Sequence, residues 1–285
     1  MLGPYLSMRS FSVLVPVYNE EENIERLLVS IYAQDLAPSR VIVFDDGSTD
    51  STPKILERLS KDLGFEVRRT RGIGKPSILN LAFRELDTSY VVVVDSDVIL
   101  PRRFFRDLFV CGGGSDLIFS WYITISRGAI ASMYRFFSLA FDGDARVGGL
   151  YLAPGCCFAI SRNIYKRLYI PPGVERDDAY IYLYSKYILK AKVRFCRCTK
   201  VYLVERKVDL KLAARRYSRI KAPIKGVDPY YVKMESWVDW LWLVRRLFEV
   251  GKKDPLGFLS YISLRPILKL YRLLGGLSIE ERWRP

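Results

Sequence analysis

Carboxylates in three places are the residues of this chain best suited to chemistry: Asp45-Asp46, the triplet Asp95-Ser96-Asp97, and Asp177-Asp178. Lys75 follows a Gly-x-Gly turn and offers a compact cation. Histidine is absent from all 285 residues, which excludes a Ser-His-Asp triad, a papain-like Cys-His pair, HExxH zinc chemistry and any imidazole base. What remains is chemistry run by carboxylates, lysines and hydroxyls, or by a metal held through oxygen. The stretch Arg71-Gly72-Ile73-Gly74-Lys75-Pro76-Ser77 imitates a phosphate-binding loop. The GxxxxGK[ST] pattern fails there, because it needs glycine where Arg69 stands and serine or threonine where Pro76 stands.

The elements that position these acids can be read from periodicity. Residues 11–17 form an apolar run of strand length, and residues 20–33 carry Ile24, Leu27, Leu28 and Ile31 at helical spacing behind an acidic first turn. Strands are expected again at 41–44, 65–69 and 90–94. Helices are expected from about Pro53, with Asp50 as cap, and over 76–85 after the glycine-rich turn. Such alternation predicts an α/β domain with a mostly parallel, Rossmann-like central sheet flanked by helices, whose ligands lie outside the carboxyl ends of the strands. Asp45 and Asp46 end the second strand and Asp95 and Asp97 the fourth, so both groups converge on that edge.

Farther on, strands are expected at 116–125, 152–160 and 192–204, an apolar helix at 129–141, and a helical run opened by Asp177-Asp178 to about Lys190. Beyond residue 205 the pattern is helical: 210–221 strongly basic, 237–250 amphipathic through Trp237, Trp240, Leu241, Val244 and Leu247, and 256–274 apolar but studded with Arg265, Lys269 and Arg272. These helices suit two arrangements, lying on a membrane surface or packing on the preceding domain. Lys and Arg number 45 against 31 Asp and Glu; residues 1–185 hold 21 basic and 22 acidic side chains, and residues 186–285 hold 24 and 9. The excess positive charge therefore belongs to the last hundred residues and calls for an acidic partner: nucleic acid, anionic lipid headgroups or a phosphorylated substrate.

The five cysteines make no CxxC pair and no zinc framework, and read as small buried hydrophobes in a reducing compartment. The first residues lack the pattern of a signal peptide, and no uncharged apolar run reaches the roughly 18 residues of a membrane span. The expected location is the cytoplasm, either free or peripheral on the cytosolic face of a membrane.

Taken in order, Val15-Pro16-Val17-Tyr18-Asn19-Glu20, Asp45-Asp46-Gly47-Ser48-Thr49-Asp50, Gly74-Lys75 with Asn80, Asp95-Ser96-Asp97 and Asp177-Asp178 resemble glycosyltransferase family 2, inverting nucleotide-sugar enzymes of the GT-A fold. The resemblance covers residues 10–205. It implies a GT-A domain over 1–205, with a nucleotide-sugar half at about 10–110 and an acceptor half at about 111–205, followed by a basic amphipathic helical extension over 206–285. By the same resemblance Asp97 ligates Mg²⁺ or Mn²⁺ and Asp95 contacts the ribose while standing beside the metal, with Ser96 between them. Asp46 accepts a hydrogen bond from the nucleobase, Pro16, Val17, Tyr18 and Glu20 line the donor pocket, and Lys75 reaches the base or the phosphates. A diphosphate needs a bridging dication to enter an acidic crevice, so metal and donor come together.

Inversion requires a base for the acceptor hydroxyl, and the family's Glu-Asp motif falls on Asp177-Asp178 with Asp178 at the base position. Asp177 replaces the usual Glu, which leaves the two free to exchange roles. The QxxRW motif of processive synthases is missing; in its region stand Arg215, Arg216 and Arg219, spaced to close over the pyrophosphate or to meet anionic lipid. The expected partners are a nucleoside-diphosphate sugar and a hydroxyl acceptor, a glycan or a lipid-linked carrier such as a polyprenyl phosphate, with an anionic membrane surface nearby and no nucleic acid. Two other readings compete: a nucleic-acid-binding protein on an α/β scaffold, which leaves the strand-end acids unexplained, and a sugar nucleotidyltransferase, whose glycine-rich N-terminal loop is absent.

Overall fold

In a computed structural model of the chain the described residues are 10–125, 128–141, 148–149, 153–204, 210–220 and 222–273. The apolar runs become the centre of an eight-stranded sheet. Strands β1 (Phe11–Val17), β2 (Arg40–Asp45), β3 (Glu66–Arg69) and β4 (Tyr90–Val94) are mutually parallel, and β7 (Cys157–Ser161) enters antiparallel beside β4. The sheet continues through β6 (Leu117–Thr124), β8 (Val193–Leu203) and the short β5 (Val98–Ile99), in the order β3-β2-β1-β4-β7-β6-β8-β5. The β6–β8 pair is parallel, and the β6–β7 and β5–β8 pairs are antiparallel.

Period-two alternation explains why β1 and β4 are apolar at nearly every position. Val13, Val15, Val92 and Val94 point into one core, with Ile24, Leu27 and Leu28 of α1 (Ile24–Tyr32), Leu56 and Leu59 of α2 (Thr52–Leu63), and Phe104 and Leu108 of α4 (Phe104–Gly112). Leu14, Val91 and Val93 point into the other, with Ile78, Leu79 and Phe83 of α3 (Lys75–Glu85) and Ile181 and Leu183 of α7 (Asp177–Leu183). Burial on both faces makes each valine of β4 worth roughly 1.5–3 kcal/mol. The two-residue β5 and the four-residue α6 (Arg162–Tyr165) are too short to leave a period in the sequence. Strand β7 starts later than expected, because residues 154–156 turn in toward the end of β4.

A third core joins α5 (Ala129–Phe141) to the C-terminal helices α8 (Leu210–Ile220), α10 (Trp240–Lys253) and α11 (Pro255–Leu273). Phe136 packs there with Ala213, Ala214, Trp242, Leu243 and Tyr261. Arg135 grips Asp254 through two hydrogen bonds of 3.0 and 2.8 Å and locks the α10–α11 turn onto α5. The short α9 (Pro229–Met234) is capped by Asp228, whose side chain accepts from the Tyr230 amide. No helix among the described residues is long and apolar enough to cross a membrane.

The cysteine reading needs correction. Cys111 at the end of α4 and Cys196 on β8 form a disulfide, with Cα atoms 5.9 Å apart at a sequence separation of 85. Cys198 is exposed, and only Cys157 is a fully buried free thiol. Helix α4 lies across β8 and brings together two residues whose spacing carries no motif. The cysteines therefore give no argument for a reducing compartment.

Candidate active site

The loops after β1 and β2 are zipped together by polar residues. Asn19, at φ +53°, accepts from the Thr49 amide at 2.8 Å and donates its own amide to Ser48 Oγ at 2.9 Å. The Glu20 amide donates to Thr52 Oγ1 at 2.8 Å, the Glu21 amide to Asp50 Oδ2 at 3.1 Å, and the Ser51 amide to Glu21 Oε2 at 2.8 Å. Asp45 is buried and accepts from the Ser48 amide at 2.9 Å, closing the Asp-Asp-Gly turn in which Gly47 takes φ +84°. These bonds fix the mouth of the crevice before any ligand arrives.

Asp46 is also buried, and it holds the next loop. One oxygen accepts from Thr70 Oγ1 at 2.5 Å and the Ile73 amide at 2.9 Å, and the other from the Gly74 amide at 2.8 Å. That clamp sets the entry of α3 and so aims Lys75. Its Nζ lies 2.6 Å from Asp95 Oδ1, 3.3 Å from the Gly155 carbonyl and 3.5 Å from Asp177 Oδ2. Burial opposes the Lys75 charge, but Asp95, Asp177 and Asp178 together outweigh it and hold the ammonium well above the ordinary lysine range. One cation thus spans from the end of β4 to the start of α7.

The two acids of α7 differ. Asp177 is buried, salt-bridged to Lys75 and 4.0 Å from the Arg219 guanidinium of α8. Asp178 is partly open to solvent, and burial followed by repulsion from Asp177 raises its carboxyl, while the Ala179 amide at 2.7 Å works against that rise. Gly155 makes room for it: a Cβ there would sit 2.9 Å from Asp178 Cβ. The Asp95 amide donates to the Cys156 carbonyl at 2.9 Å, so the turn carrying Gly155 is itself tied to the end of β4. Burial and the neighbouring Asp95 push the Cys156 thiol up, which leaves it protonated.

The other expected site residues distribute around this centre. Glu20 carries a carboxyl raised by burial, accepts from Asn23 Nδ2 at 2.8 Å, and feels Asp95 and Arg216. Arg216 lies 5.7 Å from the Tyr134 ring centroid. Arg216 and Arg219 therefore face the crevice, while the side chain of Arg215 lies outside the described residues. Pro16 and Tyr18 are partly exposed at the end of β1; Val17 is buried and offers only its backbone, whose carbonyl accepts from the Asp46 amide at 2.9 Å. Ser96 is buried, and Asp97, partly exposed, accepts from the Val204 amide through its carbonyl at 2.8 Å.

Sequence reasoning missed Glu235. This buried carboxylate accepts from Tyr182 of α7 at 2.8 Å, from the Gly149 amide at 2.9 Å, and from Lys186 and Tyr187 in the π-helical turn Tyr184–Ile188 that continues α7. It ties the stretch before α10 to the helix that bears Asp177 and Asp178. A glutamate seven residues past an Asp-Pro helix start gives no sequence signal of that kind.

Among the described residues no group of three or more Cys, Asp or Glu forms an all-protein metal cage. Asp95 and Asp97, two hard oxygen donors flanking one serine at a strand end, suit a dication that takes its remaining ligands from phosphate and water.

The chain is similar to known proteins both in sequence and in fold. Residues 12–109 match the family model described as glycosyl transferase family 2. Over 137 residues the chain is 34% identical to the poly(ribitol-phosphate) β-N-acetylglucosaminyltransferase TarS of Staphylococcus aureus, covering 45% of this chain and 24% of that protein. Over 98 residues it is 29% identical to the poly-β-1,6-N-acetyl-D-glucosamine synthase of Staphylococcus epidermidis, covering 33% and 23%. The matched stretch thus spans about a quarter of the length of these curated relatives. In structure the chain resembles S. aureus TarS 1–349 in complex with UDP-GlcNAc (TM-score 0.54, 20% identity, 93% of this chain and 87% of that one). It also resembles the mannosyltransferase PcManGT of Pyrobaculum calidifontis in complex with GDP-Man and Mn²⁺ (TM-score 0.57, 18% identity, 94% and 79%). Residues 12–109 thus match glycosyl transferase family 2, in keeping with the strand-end acids and the zipped loops, and the chain has the GT-A fold of these neighbours.

Proposed function

We propose that the chain transfers a sugar from a nucleoside-diphosphate sugar to an acceptor hydroxyl, with inversion at the anomeric carbon. The observation that carries this reading is the Lys75 bridge, which gathers Asp95 of the donor half and Asp177 of the acceptor half, with Asp178 beside it, around one crevice. The complexes of TarS with UDP-GlcNAc and of PcManGT with GDP-Man and Mn²⁺ support a nucleotide-sugar donor.

In this reading the acceptor oxygen attacks the anomeric carbon from the face opposite the diphosphate. Its proton passes to the Asp178 carboxylate, and the electron pair of the breaking C–O bond leaves with the nucleoside diphosphate. Asp177, engaged by Lys75 and Arg219, is the positioning residue, and the raised carboxyl of Asp178 suits it to receive a proton. Asp46 shapes the base pocket through the loop it clamps, against Pro16 and Tyr18. Arg216 and Arg219 offer charge to the phosphates. Asp97 with Asp95 would hold Mg²⁺ or Mn²⁺, which supplies neutralisation of charge on the departing diphosphate.

The acceptor belongs to a glycan or a lipid-linked carrier, and the basic C-terminal helices suit work at an anionic membrane surface. The test is turnover of a panel of nucleoside-diphosphate sugars with Mn²⁺ or with EDTA. Asp97→Ala, confirmed folded by its urea midpoint, should lose turnover; wild-type rates in that variant, or rates indifferent to EDTA, would overturn the reading.

A further inference from the structure

We propose that the outward faces of α10 and α11 form a docking face for an anionic lipid bilayer. The inward faces of both helices are fixed by the third core, through Trp242, Leu243 and Val250 of α10 and Tyr261 of α11. At 100° per residue the opposite faces then present Trp240, Leu241 and Phe248 on one helix and Leu256, Leu259 and Ile262 on the other. All six are more than half exposed, Leu241 at 77% and Leu256 at 70%. Water-soluble monomers rarely leave so much aromatic and branched surface uncovered on adjacent elements.

Charge selects the occupant. The same two helices carry exposed Arg245, Lys252, Lys253, Arg265 and Lys269, while Asp254 is already taken by Arg135 and Glu249 pairs with Arg246. A second copy meeting this face isologously would set those cations against themselves. Anionic headgroups complement them, and the apolar stripe enters the acyl boundary beneath. Helix α11, 19 residues long with Pro266 and basic residues along it, suits lying in that interface.

Docking there bears on the crevice through α8. Its Ala213 and Ala214 are buried in the core that holds α10 and α11, and Arg219 at its far end reaches Asp177. The docking face stands on its own observations; delivery of a lipid-carried hydroxyl to Asp178 is the one consequence that rests on the proposed transfer reaction.

The experiment is co-sedimentation of the full chain with phosphatidylcholine vesicles, with and without about one-third phosphatidylglycerol. Wild type should bind the anionic vesicles, and the triple variant Trp240→Ser, Leu241→Ser, Phe248→Ser should lose at least about tenfold in partitioning. Arg245→Glu with Lys252→Glu should weaken binding to the anionic vesicles only. Absence of wild-type binding, or binding indifferent to the triple variant, overturns the proposal. So does a dimer in sedimentation equilibrium that the same triple variant dissolves, which would make a second copy the occupant. Donor turnover measured alongside separates the two readings: vesicle binding by a chain that turns over no nucleotide sugar still supports the docking face.

Discussion

Replacing Lys75 with Met removes the ammonium that bridges Asp95 and Asp177 while keeping much of its bulk. The ammonium lies 2.6 Å from Asp95 and 3.5 Å from Asp177. At an effective dielectric of about 20 these contacts represent roughly 6 and 5 kcal/mol of gross attraction, most of it offset by desolvation. Removing one partner of a buried pair costs about 3–5 kcal/mol. The Asp95 side chain is 32% exposed and that of Asp177 9%, so water screens one contact and not the other. The lower end, about 3 kcal/mol, is the expected loss, equivalent to roughly 6 °C in Tm for a chain of this size.

Urea unfolding in EDTA measures it, with Lys75→Arg as the control that keeps the charge and should recover most of the loss. The pH dependence has a definite sign. Lys75 is raised in the folded state, so its contribution is complete below the ordinary lysine value of 10.5 and is lost only as pH rises through the higher folded value. The difference between wild type and Lys75→Met should therefore be flat across the neutral range and shrink only in strong alkali. A Met variant within about 0.5 kcal/mol of wild type at neutral pH would refute the bridge as an organising contact.

Two further expectations rest on other features. Because Asp178 is raised above its unfolded value, the folded state binds more protons between the two values, and stability falls as pH rises through that window. Asp178→Asn should accordingly be more stable than wild type at neutral pH yet lose at least about 100-fold in kcat, with donor KM little changed; equal stability and retained kcat would contradict both parts. Cys111→Ser opens a disulfide spanning 85 residues and should cost about 2–4 kcal/mol in urea unfolding, and reductant should bring wild type to the variant's midpoint.

The N-terminal half of the sheet was legible because its signals are local. A buried parallel strand is a solid apolar run, an acid at its end is a break in that run, and Gly47, Gly72 and Gly74 mark turns by their positive φ. The stretch that carries Asp177 and Asp178 was legible only in outline. Asp177-Asp178 at a helix start could be placed, but which acid is spent on Lys75 and Arg219 depends on side chains 102 and 42 residues away in sequence. The Cys111–Cys196 bond and the Glu235 hub likewise arise from α4 crossing β8 and from α9 returning to α7, contacts that leave no period behind. For the C-terminal helices the helical spacing picked out Trp237, Trp240, Leu241 and Val244, which are exposed, and passed over Leu243 and Val250, which are buried. The third core claims Trp242 and Tyr261, while Trp240 and Leu241, beside them in the chain, face out.

The bonds between Asn19, Glu21, Ser48, Thr49 and Asp50 carry one more consequence. The side chains of Asn19, Glu21, Ser48 and Asp50 are spent on holding two turns to each other. Such a fingerprint records carpentry: it preserves the frame of the doorway and says little about who passes through it. A chain built on such a frame can change the sugar and acceptor it takes by altering the walls behind it, without disturbing the two turns.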